Sequence, residues 1–136
     1  MITRQLQSVI ESQLFKGKAV VVIGARQVGK STLLREIALK QAATYLMLNC
    51  DEPEVKEMLQ SINTTELRQL IGSNKIVFID EAQRVPNIGM TLKLIVDNFS
   101  DVQLLVSGSS SLELHNKLSE PLTGRKYEYN LYPIFT

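Results

Sequence analysis

Eight residues between an apolar run and a helical segment restrict the fold of this chain. Residues 18–23 are mostly β-branched and show no polar alternation, which is typical of a strand buried on both faces of a parallel sheet. From Lys30 onward, apolar residues recur at helical spacing. The octet that joins the two segments matches the spacing Gly, any four residues, Gly-Lys-Ser/Thr, and reads Gly24-Ala25-Arg26-Gln27-Val28-Gly29-Lys30-Ser31. A strand, this loop and a helix in succession predict a phosphate-binding loop.

The octet has a physical mechanism for holding phosphate. Successive backbone N–H groups can wrap a β-phosphate, and glycines permit both the close approach and the positive φ angles that this requires. The N-terminus of the following helix adds partial positive charge. Lys30 can reach the β- and γ-oxygens and so also counts as catalytic, Ser31 can offer its hydroxyl to Mg²⁺, and Thr32 can contact the α-phosphate side. We predict that residues 24–32 bind nucleotide; the alternative is a tight turn with a solvated Lys30.

A second motif combines a buried strand with two adjacent acids. Residues 76–79 are fully apolar, and Asp80 and Glu81 follow them directly. Open α/β sheets bind ligands at the carboxyl ends of their strands, where Asp80 can hold Mg²⁺ directly or through water. Glu81 can act as a general base for a water molecule in line with the γ-phosphate. The alternative is a pair of solvated acids without a catalytic role.

The base of the nucleotide is assigned by elimination. Guanine-specific enzymes use an Asn-Lys-x-Asp signature, and Asn116-Lys117-Leu118-Ser119 comes close to it. The hydroxyl of Ser119 cannot present two acceptors to guanine as a carboxylate does. We therefore expect ATP with Mg²⁺ as the ligands.

The rest of the chain alternates apolar strands with helical segments. Strands are predicted at residues 18–23, 44–48, 76–79, 102–106 and 126–131. Helices are predicted over residues 1–15, from Lys30 to about Gln41, from Pro53, from Thr64 or Thr65, after Asn87 and over residues 112–118. Such alternation implies right-handed crossovers and a mostly parallel sheet with helices on both faces. The predicted fold class is α/β, and residues 1–136 are expected to form one domain.

Composition bears on partners and location. The chain has 15 Lys and Arg against 14 Asp and Glu, a net charge of +1, so a nucleic-acid partner stays open but is not indicated by charge. The single cysteine, Cys50, cannot form an internal disulfide, which favours a cytoplasmic setting. No apolar run approaches the roughly 20 residues that span a bilayer, so we expect no membrane partner.

Four segments together resemble a known family. The phosphate loop and Phe78-Ile79-Asp80-Glu81-Ala82-Gln83, with Val106-Ser107-Gly108-Ser109-Ser110 and Leu122-Thr123-Gly124-Arg125, resemble the ATPase domain of prokaryotic P-loop ATPases of the AAA+ superfamily, in the group that carries a further C-terminal domain of unknown function. The resemblance implies a five-stranded sheet of order 5-1-4-3-2, with the acidic strand beside one that ends in a polar sensor. Ser107 and Ser109 are the candidates to hydrogen-bond the γ-phosphate or the attacking water. The alternative is a Ser-Gly-Ser turn that caps the strand.

The resemblance also implies an incomplete chain and a catalytic arginine. Proteins of this group continue past the ATPase domain, so residues 1–136 are expected to be an N-terminal fragment, with self-association or the missing C-terminal domain as partners. Arg125 is expected to neutralise charge at the γ-phosphate, in cis or in trans. The alternative is a surface ion pair of Arg125 with Glu120 or Glu128. Links to nucleic-acid transactions rest on analogy.

The function that these observations predict is Mg-dependent binding and hydrolysis of ATP, which drives or gates an attached domain or partner. One alternative is an ATP-gated interaction module with little hydrolysis. Another is a P-loop kinase for a small acceptor, which the pair Asp80-Glu81 disfavours because it suits attack by water.

Overall fold

A parallel five-stranded sheet forms the centre of the molecule. The computed structural model describes residues 2–25, 29–41, 43–109 and 111–131. The strands are β1 Ala19–Gly24, β2 Tyr45–Asn49, β3 Ile76–Asp80, β4 Gln103–Gly108 and β5 Lys126–Leu131. They lie in the order β2-β3-β4-β1-β5, and all four neighbouring pairs are parallel. Read from the other edge, this is the predicted order 5-1-4-3-2, so the predicted α/β class and sheet order are confirmed.

The described residues form six α-helices, one before β1 and five between the strands. They are α1 Ile2–Ser12, α2 Lys30–Lys40, α3 Pro53–Leu59, α4 Thr64–Ile71, α5 Ile88–Asn98 and α6 Ser111–Leu118, and a short 3-10 turn spans Ala82–Arg84. Pro53 opens α3, where its missing N–H costs nothing. Helix α4 begins at Thr64, but its cap is Asn63, whose side chain accepts from the Glu66 N–H while Glu66 accepts from the Asn63 N–H.

The helices cover both faces of the sheet. Val20 and Val22 of β1 pack into a cluster with α1 and α2, whereas Val21 and Ile23 pack into a second cluster with α3, α4, α5 and α6. Every residue of β1, β3 and β4 is buried. This explains why their sequences lack the polar alternation of a strand with one solvated face.

The strand register brings the two motifs to one edge of the sheet. Ile23 of β1 is level with Gly108 of β4, and Val106 of β4 is level with Ile79 of β3. Asp80 and Ser107, the next residues along, are therefore neighbours at the carboxyl edge, beside the loop that follows Gly24. The amino-terminal ends of the strands lie at the opposite edge of the sheet, where the Ala19 N–H donates to the Arg125 main-chain carbonyl at 2.9 Å.

A buried glutamine organises that opposite edge. Gln103 opens β4 and is only 1% exposed. Its Oε1 accepts from the Phe15 N–H at 2.6 Å, and its Nε2 donates to the Lys18 carbonyl at 3.0 Å. These bonds fasten the connection between α1 and β1, in which Phe15 adopts a φ of 57°.

We predict that Gln103→Ala destabilises the fold by about 1 to 3 kcal/mol, because it leaves main-chain groups of Phe15 and Lys18 without their partner. The measurement is the urea midpoint at an unchanged m-value. Gln69→Ala, at an exposed position of α4, is the matched control and is expected to leave the midpoint unchanged. Equal midpoints for the two variants would contradict the assigned role of Gln103.

Candidate functional site

The phosphate-loop motif lies between β1 and α2, as predicted. Gly24 ends β1, and Lys30 is the first residue of α2. Gly29 caps α2 with φ 78° and ψ 22°, a left-handed conformation that glycine adopts without steric cost. Arg26, Gln27 and Val28, also predicted to bind nucleotide, lie outside the described residues. Ala25, Gly29 and Thr32 are exposed or partly exposed around the start of α2.

Asp80 joins the loop to the sheet through Ser31. The Ser31 hydroxyl donates to Asp80 Oδ1 at 2.7 Å. Asp80 is the last residue of β3 and only 8% exposed. The Ser107 hydroxyl of β4 donates to the same Oδ1 atom. Two serines from different elements thus converge on one carboxylate oxygen.

The Ser31 and Asp80 oxygens fit a magnesium ion. Adjacent ligands of an octahedral Mg²⁺, with bonds of about 2.0 to 2.1 Å, lie about 2.9 Å apart. The 2.7 Å between Ser31 Oγ and Asp80 Oδ1 is close to that spacing. Over the part of the chain that the structure describes, no group of three or more His, Cys, Asp or Glu could hold a metal ion.

Glu81 turns away from Asp80 and contacts Lys30. Lys30 Nζ and Glu81 Oε1 are 3.3 Å apart, and the two side chains are only 2% and 6% exposed. Glu81 has φ 55° and ψ 47°, a left-handed conformation that costs a residue with a side chain about 1 to 3 kcal/mol. Its N–H donates to Ser107 Oγ at 3.3 Å. The main-chain turn after β3 therefore gives two adjacent acids two different sets of partners.

Each candidate sensor serine contacts one of the acids. Ser107 is completely buried, and its hydroxyl bonds to Asp80. Ser109 is partly buried, and its hydroxyl lies 3.3 Å from Glu81 Oε2. Sequence reasoning named both serines and did not separate their roles. The structure separates their contacts.

Two residues of this network were missed as site residues. Gln83 is 8% exposed and bonds to Ser109 through both atoms of its amide. The Lys117 ammonium of α6 donates to the main-chain carbonyl of Gln83 at 2.7 Å. Gln83 follows the acidic pair by two positions and could have been suspected on that ground, but no spacing rule connects it with Lys117 34 residues later.

The structure does not bring Arg125 to these residues within one chain. Arg125 precedes β5 at the opposite edge of the sheet, about 17 Å from the carboxyl end of β1 at 3.3 Å per residue. Its Nε lies 2.8 Å from Asp97 Oδ1, and both side chains are partly exposed. The expected surface partner was Glu120 or Glu128; the partner is Asp97, because the end of α5 reaches the start of β5.

Cys50 is a buried thiol beside the acids. It follows β2, and its N–H donates to the Asp80 carbonyl at 2.9 Å. Burial, with smaller contributions from the negative charges of Asp80, Asp51 and Glu81, raises the pKa of the Cys50 thiol to about 12. The thiol is therefore protonated, and no catalytic role is assigned to it.

Comparison with known proteins identifies the family. The sequence profile of a family described as "AAA domain" matches residues 16–135. The chain belongs to the AAA domain family. This match agrees with the resemblance drawn from the phosphate loop and the acidic pair.

Curated relatives of this AAA domain are longer proteins. An uncharacterized protein of Mycobacterium tuberculosis and one of Mycobacterium bovis are each 31% identical to the chain over 117 residues. The match covers 82% of this chain and 24% of each relative, so the chain spans about a quarter of their length.

Solved structures share the fold of this AAA domain at low sequence identity. Drosophila ORC, in its structure with AT-rich DNA and Cdc6, aligns with a TM-score of 0.70 and 14% identity over 98% of this chain and 56% of that one. The RuvB Holliday junction branch migration motor of Thermotoga maritima aligns with a TM-score of 0.63 and 19% identity over 98% of this chain and 44% of that one. At such identities the comparison establishes the P-loop ATPase fold alone.

Among the helices of the described residues, none is long and apolar enough to cross a membrane.

The pKa of Cys50 predicts how the thiol reacts with Ellman's reagent. An unfolded thiol ionises near pH 8.5, so its reaction rate levels off above about pH 9. Because the folded thiol is buried and its pKa is raised to about 12, it is expected to react at least about a thousandfold more slowly than the unfolded thiol at pH 8.

The same protein in denaturant is the control for this measurement, because Cys50 is the one cysteine of the chain. A folded protein that reacts at nearly the rate of the denatured protein would contradict the burial and the electrostatic environment assigned to Cys50.

Proposed function

We propose that this chain binds ATP with Mg²⁺ and hydrolyses it to ADP and phosphate. The observation that carries the proposal is the clustering at the start of α2: Lys30 lies 3.3 Å from Glu81, and Ser31 lies 2.7 Å from Asp80. A cation, a hydroxyl and two carboxylates with different partners are the groups that phosphoryl transfer to water requires. Membership of the AAA domain family supports the same reaction.

Binding follows from the elements that meet at the carboxyl edge of the sheet. The N–H groups of the first turn of α2 would bind the β- and γ-phosphates, and the helix dipole favours their charge. The Lys30 ammonium bonds to the same oxygens in place of part of its contact with Glu81. Ser31 and Asp80 would hold Mg²⁺, which neutralises charge on the phosphate oxygens.

In the proposed hydrolysis, Glu81 is the general base. The Glu81 carboxylate accepts a proton from a water molecule as the water oxygen forms a bond to the γ-phosphorus. The bond between the γ-phosphorus and the bridging oxygen breaks, and its electron pair leaves with ADP. Lys30 stabilises the charge on the departing phosphate oxygens. Asp80, held by Ser31 and Ser107, stays an acceptor for the metal and takes no proton.

The contacts of the two serines favour different roles. The Ser107 hydroxyl bonds to Asp80, and the Ser107 side chain is completely buried. Ser109 contacts Glu81 and is partly exposed. We infer that Ser109 is the better candidate for the polar sensor, which would act on the attacking water through Glu81.

A second function, an ATP-gated interaction module with little hydrolysis, has one observation in its favour. The Glu81 carboxylate is engaged by Lys30, so it becomes available only when nucleotide draws Lys30 away. Arg125 lies on the opposite edge of the sheet, so it would serve a γ-phosphate only on a neighbouring copy. In both functions, we propose coupling to a C-terminal domain, a second copy or nucleic acid; the chain spans 24% of the length of its curated relatives. A parent protein that binds Mg-ATP but releases no phosphate at any protein concentration would favour the gated module.

Lys30 is tested best in a background that lacks the Glu81 charge. Lys30→Ala alone would leave the buried Glu81 carboxylate without its cation and destabilise the fold. We predict that Glu81→Gln binds Mg-ATP with at least the affinity of the parent, and that adding Lys30→Ala weakens binding about ten- to a hundredfold through lost charge-assisted bonds.

Isothermal calorimetry measures both affinities. Lys40→Ala in the same background, at an exposed position in the last turn of α2, is the control and should bind like Glu81→Gln. If the Lys30 and Lys40 variants bound equally well, Lys30 would not be a phosphate ligand.

The two acids are predicted to differ in function. Glu81→Gln should hydrolyse ATP at least about a hundredfold more slowly than the parent, which is the scale of a lost general base. Asp80→Asn should instead raise the Mg²⁺ concentration needed for half-maximal activity, because a neutral amide is a weaker ligand. Phosphate release across a Mg²⁺ titration measures both effects. Turnover of Glu81→Gln at the parent rate would refute the base assignment.

A further inference from the structure

Gln83 connects the acidic pair to the end of β4. Its Nε2 donates to Ser109 Oγ at 2.8 Å, and its Oε1 accepts from the Ser109 N–H at 3.2 Å. Ser109 Oγ in turn lies 3.3 Å from Glu81 Oε2. The Gln83 side-chain amide therefore hydrogen-bonds to both the main chain and the side chain of Ser109, which contacts the proposed base Glu81.

These contacts determine the direction of the Ser109 hydroxyl. A hydroxyl has one proton to donate. Because Ser109 Oγ accepts from Gln83 Nε2, its own proton is directed at the Glu81 carboxylate. Without Gln83 the hydroxyl could rotate, and the Ser109 main chain would lose an acceptor.

The position of Gln83 is itself defined from two sides. The Lys117 ammonium of α6 donates to its carbonyl at 2.7 Å. A Cβ atom added at Gly108 would lie 3.1 Å from Gln83 Oε1 and would collide with the side chain of Leu114, so glycine at the end of β4 allows α6 and Gln83 to approach. Gln83 also belongs to the turn Ala82–Arg84, which follows the left-handed Glu81 residue.

We propose that Gln83 is a positioning residue that acts through Ser109 to aim the Glu81 carboxylate at the attacking water. The inference rests on the proposed ATP hydrolysis, and it adds a residue whose side chain does not need to touch nucleotide. A purely structural role for Gln83 would affect folding stability and would be independent of Glu81.

The test separates turnover from binding. Gln83→Ala is expected to lower kcat about ten- to a hundredfold, the scale of a displaced catalytic group, with an unchanged Kd for Mg-ATP. Ser109→Ala is expected to lower kcat similarly, and the double variant should be no slower than the slower single variant, because both changes break one link. In the Glu81→Gln background, Gln83→Ala should leave the residual rate unchanged.

The chain offers a matched control in another buried glutamine. Gln103→Ala removes an amide of similar burial at the opposite edge of the same sheet and should leave kcat unchanged although it lowers stability. Gln83→Met, which keeps the length of the side chain and removes both hydrogen bonds, carries the same expectation as Gln83→Ala if the alanine variant does not fold.

The outcomes distinguish the inference from the function on which it rests. A parent that hydrolyses ATP while the Gln83 variants match its kcat would overturn the inference alone. The inference also fails, with hydrolysis intact, if Gln83→Ala lowers the rate equally in the parent and in the Glu81→Gln background. A parent that releases no phosphate would overturn the proposed hydrolysis and, with it, the role of Gln83.

Discussion

Lys30 and Glu81 carry opposite charges at a place that water barely reaches. Their side chains are 2% and 6% exposed, and Nζ and Oε1 lie 3.3 Å apart. Removing one partner of such a pair costs about 3 to 5 kcal/mol, because the other charge stays buried and uncompensated. The pair ties the start of α2 to the turn after β3. In the proposed function, a nucleotide phosphate that attracts Lys30 would act on Glu81 at the same time, so phosphate binding and the position of the proposed base would be linked through one lysine.

The parallel sheet assembles the remaining groups around that pair. Parallel strands end at a common edge, and the register makes Asp80 and Ser107 neighbours there. The Ser107 hydroxyl donates to Asp80, while the hydroxyl of Ser109, two residues later, donates to Glu81. The left-handed turn at Glu81 separates the two acids, so one can hold a metal while the other handles a proton. The contacts on either side of Glu81 offset the cost of its left-handed conformation.

Local patterns predicted the elements and most of the candidate site. The unbroken apolar run of β1 and the octet after it indicated a buried strand followed by a helix that begins at Lys30, and the structure confirms both. Asp80 at the end of β3 followed from the apolar residues before it. The strand order came from the family resemblance, because the spacing of strands along a chain does not say which strands are neighbours.

Contacts between distant residues escaped sequence reasoning for physical reasons. The Arg125–Asp97 pair depends on where α5 ends relative to β5, and a pattern of residue types carries no such distance. The roles of Ser107 and Ser109 stayed open because both follow the same strand and differ only in which acid each reaches. Gln83 lies two positions after the acidic pair, but its bonds to Ser109 cross 26 residues. The Asn63 cap of α4 was not predicted, although the helix begins at Thr64 as predicted; the Asn63 side-chain oxygen accepts from the Glu66 N–H at 2.8 Å.

Hydrolysis in water enriched with ¹⁸O tests the central claim most directly, because it reports which bond breaks and what attacks the phosphorus. In a single turnover with Mg-ATP, attack by water at the γ-phosphorus puts one ¹⁸O atom into the released phosphate and none into ADP. The account predicts that labelling pattern, together with its loss when Mg²⁺ is removed by a chelator. Label in ADP, or ADP formed only when a small acceptor becomes phosphorylated, would contradict the assignment of Glu81 and Asp80 to a hydrolytic site.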